Sequence, residues 1–155
     1  MKMKKIKRVF VVMLALIMMF SMQLSVFAAT SRTTTKTASA KMSIVLNPSQ
    51  TGDSSAVTIS FTGLPSNAVV TDLTINSGTM TYNGAVLSNY ITISGNGRTE
   101  QVAWGGQANR DLSTNNFIGV PANGTYTLTF NATNVSTLNI GTKTYKPSIK
   151  ITYTY

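Results

Sequence analysis

The sequence predicts an all-β fold: a single antiparallel β-sandwich, Ig-like or jelly-roll-like, of seven to nine strands, placed after an N-terminal signal peptide. Three observations predict it. Apolar and hydroxylated residues alternate in several short runs, most clearly Tyr126, Leu128 and Phe130 interleaved with Thr125, Thr127 and Thr129. Side chains on a strand point to opposite faces in turn, so such a run has one core face and one wet face. Gly, Pro and Asn-Gly breaks separate the runs at sandwich-like intervals, and no window longer than a turn carries helical spacing.

The first 28 residues stand apart from this pattern. Lys2, Lys4, Lys5, Lys7 and Arg8 form a basic head, residues 9–20 are unbroken apolar, and Val26-Phe27-Ala28 ends the stretch in small residues. That is the layout of a secretory signal with a cut between Ala28 and Ala29. The alternative, an uncleaved anchor, is disfavoured because the apolar run is shorter than the ~20 residues a spanning helix needs. The chain is therefore expected to be secreted and extracellular, with no membrane attachment after cleavage. The expected organisation is a signal peptide over 1–28, a Ser/Thr-rich flexible tail over 29–40 and the sandwich over 41–155.

Cleavage leaves 127 residues, enough for one domain with a real core. It also removes five of the 13 basic residues, so eight remain against four acids, and from Met42 onward five face four. A chain this close to neutral has no basic face for nucleic acid. Cysteine and histidine are both absent. Their absence excludes Ser-His-Asp and Cys-His catalysis, Cys/His zinc sites and disulfide staples. A small exported domain without disulfides suits a bacterial exoprotein. Ser, Thr and Asn supply 51 of the 127 residues, a composition of strands and turns.

Taken in order, residues 41–47 predict a strand with Met42, Ile44 and Leu46 on one face. Residues 56–62 predict a second, through Val57, Ile59 and Phe61, and residues 68–76 a third that Asn76-Ser77-Gly78 should close. Residues 79–82 predict a short strand before Asn83-Gly84, a two-residue hairpin signal. Residues 85–89 read as strand or loop, and residues 90–94 as a strand turned by Gly95-Asn96-Gly97 into 99–104. Residues 105–116 lack periodicity. Residues 131–144 read as a long crossing or weak strand, and residues 148–155 alternate cleanly, with Ile149, Ile151, Tyr153 and Tyr155 on one side.

Candidate functional residues are few. The four acids are Asp53, Asp72, Glu100 and Asp111, with no D-x-D spacing. Two of them facing across a cleft could make a small carbohydrate-active enzyme. No cofactor is expected. A weak calcium site would draw on Asp53 and Asp111, the acids in loops. Trp104, the one tryptophan, reads either as a core anchor or as an exposed platform for a sugar ring, with Gln107, Asn109, Arg110 and Asp111 in the loop beside it. Asn123-Gly124-Thr125, Asn131-Ala132-Thr133 and Asn134-Val135-Ser136 match the glycosylation acceptor pattern but serve first as turn chemistry.

Three segments, VVTDLTI (69–75), FIGVPANGTYTLTF (117–130) and SIKITYTY (148–155), resemble the P-domain (Homo B) module, a β-sandwich that follows subtilisin-like convertase domains. The resemblance implies a jelly-roll-like sandwich and no activity, and the family's acid-rich calcium positions have no counterpart here.

These readings converge on a secreted, non-enzymatic binding or structural module. Its expected partner is a cell-surface polysaccharide, or another protein chain paired through an edge strand. The alternatives are a fibre or matrix subunit built by strand addition, and the paired-acid enzyme.

Overall fold

A computed structural model describes residues 29–155; the expected signal segment and Ala28 lie outside the described residues. Ten strands form two antiparallel sheets. They are β1 (Ser31–Thr37), β2 (Met42–Leu46), β3 (Thr51–Asp53), β4 (Val57–Phe61), β5 (Val69–Asn83), β6 (Val86–Gly95), β7 (Arg98–Ala103), β8 (Asp111–Thr114), β9 (Gly124–Asn134) and β10 (Gly141–Thr154). One sheet runs β1-β10-β5-β8, with β2 also on the β1 flank of β10. The other runs β3-β9-β6-β7, with β4 also on the β3 flank of β9. The all-β sandwich predicted from alternation is the observed class, with ten strands rather than seven to nine.

The two most strictly alternating runs are the two central strands. Along β10, Tyr145, Ile149, Ile151 and Tyr153 are buried, while Thr142, Thr144, Lys146, Ser148, Lys150, Thr152 and Thr154 look out. On β9, Tyr126, Leu128 and Phe130 point into the same core from the opposite sheet. Edge-to-face ring pairs join the two layers, Trp104 with Tyr145 (4.3 Å) and Phe130 with Tyr145 (5.1 Å), while Tyr126 meets Phe117 (5.6 Å) and, within its own sheet, Phe61 (6.0 Å). Such pairs contribute about 0.5–1.5 kcal/mol each beyond their buried area.

Several sequence expectations change. Residues 31–37, expected as part of a flexible tail, form β1, paired along its whole length with Ser148–Thr154 of β10. Its nearly complete exposure explains why no apolar periodicity marked it. Asn76-Ser77-Gly78 does not end a strand. Asn76 Oδ1 accepts from the Gly78 N–H at 2.9 Å, and the local turn becomes a bulge inside one 15-residue strand. Gly78 is required there, since its φ is +71° and a Cβ would fall 1.8 Å from the Lys146 carbonyl oxygen. Asn83-Gly84 makes no hairpin, because β5 and β6 belong to different sheets; it turns the corner between them. Residues 131–144, read as a long crossing or a weak strand, hold both: the end of β9, the connection over 135–140 and the start of β10. The expected hairpin at Gly95–Gly97 does form, with φ of +48° at Asn96 and +74° at Gly97, the signs a type I′ turn needs.

Candidate functional site

The loop singled out beside Trp104 is built on the β5 bulge. Ser77 Oγ donates to the Gln107 carbonyl (2.8 Å) and accepts from the Arg110 N–H (2.9 Å), while the Asn109 N–H donates to the Gly78 carbonyl (2.8 Å). Gln107, Asn109, Arg110 and Asp111 are therefore held on a fixed backbone with exposed side chains. Trp104 is not among them. It is 4% exposed, packed edge-on to Phe130 and Tyr145, and its Nε1 donates to the Gln107 carbonyl at 3.3 Å. Trp104 is thus a core anchor, and no indole face is open to a sugar. Burial follows from Trp104 closing β7 directly over the β9–β10 aromatic layer.

The acids do not converge. Asp53 Oδ1 accepts from Asn131 Nδ2 (2.7 Å) on the outer face of one sheet, and Asp111 Oδ1 accepts from Asn76 Nδ2 (2.7 Å) on the outer face of the other. One calcium ion cannot span both, and among the described residues no three acids gather at a metal-binding spacing. Glu100 points inward, opposite Ile93, and accepts from Thr114 Oγ1 across the sandwich edge. Asp72 and Asp111 share an outer face. Because Asn76 is opposite Asp111, Asp72 lies four residues further along, about 13 Å at strand rise. Asp53 and Glu100 share a sheet but occupy its opposite edges, about 14 Å apart at strand spacing and on opposite faces. Glycosidase carboxyl pairs sit about 5–9.5 Å apart.

A second cluster was not anticipated. Lys143 lies on the inward side of β10, 7% exposed, and its Nζ donates to the Val86 carbonyl at 2.9 Å. Tyr145, two residues on, donates its hydroxyl to the Gly106 carbonyl (2.6 Å) and meets Ser88 Oγ at 3.3 Å. Burial pushes the Lys143 ammonium below its ordinary pKa. Burial also pushes the Tyr145 phenol up to about 12, with the Ser88 bond opposing. Counting odd positions back from Tyr153 would have flagged Lys143 as inward. The cluster ties β10 to β6 and to the 105–110 loop.

Exposed apolar side chains gather at one end of the sandwich. Val45, Tyr82, Leu87, Val135, Ile140 and Leu138, the last 84% exposed, surround the β5–β6 and β9–β10 connections. On the outer faces, hydroxyl pairs run across the strands, including Thr33–Thr152 (3.0 Å), Thr81–Thr144 (2.6 Å), Ser60–Thr125 (2.8 Å) and Ser94–Thr99 (2.9 Å).

No family model matches the chain, and no curated protein matches it. Among solved structures, it is similar to a protein of Eubacterium rectale thought to be secreted, with a TM-score of 0.52 and 16% identity over 81% of this chain. The chain spans 40% of that structure's length. At this identity the likeness is one of fold. An exo-beta-1,3-galactanase of Phanerochaete chrysosporium, solved with galactose, aligns over 80% of this chain and 29% of its own at 20% identity, but its TM-score of 0.31 carries no argument. Among the described residues, no helix is long and apolar enough to cross a membrane.

Proposed function

We propose that this chain is an exported, non-enzymatic β-sandwich of a bacterial exoprotein, acting as an extracellular binding or structural module. The observation that carries this reading is the scattering of the four carboxylates: no two share a face at the separation that acid–base hydrolysis uses. What the fold does present is surface: two hydroxylated faces, the fixed 105–111 loop and the apolar end around Leu138. Exposed apolar patches can mark interaction sites. Binding assays on the exported chain, against insoluble cell-wall polysaccharide and glycosidase substrates, test the reading. Co-sedimentation without turnover is the expected result. Turnover that disappears in Glu100→Gln or Asp111→Asn would replace it with the paired-acid enzyme.

A second reading, a fibre or matrix subunit joined by strand addition, is favoured by one feature. The flank of β10 from Ser148 to Thr154 is covered only by β1, a strand that buries none of its own side chains.

A further inference from the structure

We propose that β1 is an exchangeable strand, which leaves β10 of its own chain and pairs in the same antiparallel register with β10 of a second copy. The proposal rests on the strand-addition reading and names its donor and acceptor.

Three features of β1 support this. First, it is attached almost wholly by backbone. Of its seven residues six are exposed and one is half-buried, so detaching it uncovers little apolar surface of its own. Second, it is separable. Residues 38–41 interrupt the edge, and beyond them β2 anchors itself independently with Met42, Ile44 and Leu46 in the core. Third, the acceptor cannot stay bare. A departed β1 exposes the unpaired backbone groups of residues 148–154 and one flank of Ile149, Ile151 and Tyr153, the kind of edge that recruits another strand.

The groove also selects its occupant. On its inward side β1 presents Arg32, Thr34 and Lys36, opposite Tyr153, Ile151 and Ile149. Lys36 Nζ donates to the Ser60 carbonyl at 2.7 Å and lies 5.6 Å from the centre of the Phe61 ring. Arg32 sits 6.0 Å from the centre of the Tyr155 ring, and Thr33 and Thr152 share a hydroxyl hydrogen bond on the outer side. These seats fit cations two turns of the pleat apart, which the β1 sequence itself supplies. The occupant is therefore β1 of another copy rather than an unrelated peptide. Reciprocal exchange closes a dimer; one-way exchange leaves a free β1 at one end and a bare β10 at the other, and so propagates.

The chain has no cysteine, so introduced thiols report unambiguously. Exported chain carrying Thr33→Cys is mixed with a mass-tagged chain carrying Thr152→Cys, held at rising concentration, oxidised and resolved without reductant. Exchange predicts a disulfide between the two unlike chains, with the cross-linked fraction of chain increasing roughly tenfold per tenfold rise in concentration at low conversion. Both mutations in one chain, oxidised while dilute, should lock β1 in place and abolish assembly until reduction. The pair Thr35→Cys and Lys150→Cys, also opposite each other, repeats the test at a second register position. Fluorescence of buried Trp104 checks that each variant is folded. Unlike-chain disulfides missing at both positions while wild-type chain still assembles would overturn the exchange and leave strand addition to another edge. Missing disulfides together with a wild-type chain that stays monomeric at every concentration would overturn both.

Discussion

β1 and β2 lie end to end along the same flank of β10, in the same direction, and are made to the same hydrogen-bonding plan. They differ in what they bury. β2 places Met42, Ile44 and Leu46 in the core at 0%, 6% and 2% exposure, whereas β1 buries no side chain. The inward-side lysines beside each strand, Lys36 on β1 and Lys143 on β10, also differ in setting. Lys36 on β1 reaches the Ser60 carbonyl from an exposed position, while Lys143, opposite Ile44 of β2, reaches the Val86 carbonyl from the interior. A strand can thus belong to a sheet by its ladder alone, but ladder bonds are exchanged against water and contribute modestly in net. Anchorage comes from the apolar face.

That contrast can be broken most severely from the β2 side. Met42→Ala should cost about 2–5 kcal/mol by cavity formation, read as a lowered urea midpoint. Gly78→Ala, at the bulge opposite the joint between the halves, should cost about 1–3 kcal/mol, because a Cβ meets the Lys146 carbonyl in a left-handed backbone. Lys143→Met should act in the opposite direction, raising stability at neutral pH by on the order of 1 kcal/mol through removal of a buried charge.

The pH dependence sharpens the same point. With its pKa lowered, folded Lys143 holds fewer protons than the unfolded chain below the ordinary lysine value, so stability rises as pH climbs toward 10.5. Tyr145 holds its proton longer than an unfolded tyrosine, so stability falls as pH rises from 10 toward about 12. Denaturation midpoints should therefore peak near pH 10 in wild type, and Lys143→Met should lose the rising limb while keeping the fall. The smallest effect belongs to β1. Thr34→Ala should change stability by less than ~0.5 kcal/mol, and hydrogen exchange should show β1 amides opening locally while those of β2 follow global unfolding.

The sequence discloses strands where a side chain alternates between core and water, which is why β2, β4, β9 and the second half of β10 are visible in it. It conceals β1 for the physical reason that makes β1 distinctive: no burial means no periodicity. It misleads at Asn76-Ser77-Gly78 because a turn and a bulge use the same local hydrogen bond, and only the partner strand decides between them. Of the site residues, the composition of the 105–111 loop was readable, but the burial of Trp104 depended on Phe130 and Tyr145 arriving from distant segments. Lys143 was within reach of the pattern, since the alternation of β10 extends back through it.

The chain ends of the described region meet across a ladder: Thr30 and Tyr155 exchange backbone hydrogen bonds at 3.1 and 3.3 Å. Tension applied between these two points would open the β1–β10 ladder one bond at a time, like a zipper. If the same strand is seated on a neighbour and the load runs along the line of copies, all seven residues share it in shear. One set of hydrogen bonds would then be mechanically soft within a copy and strong between copies.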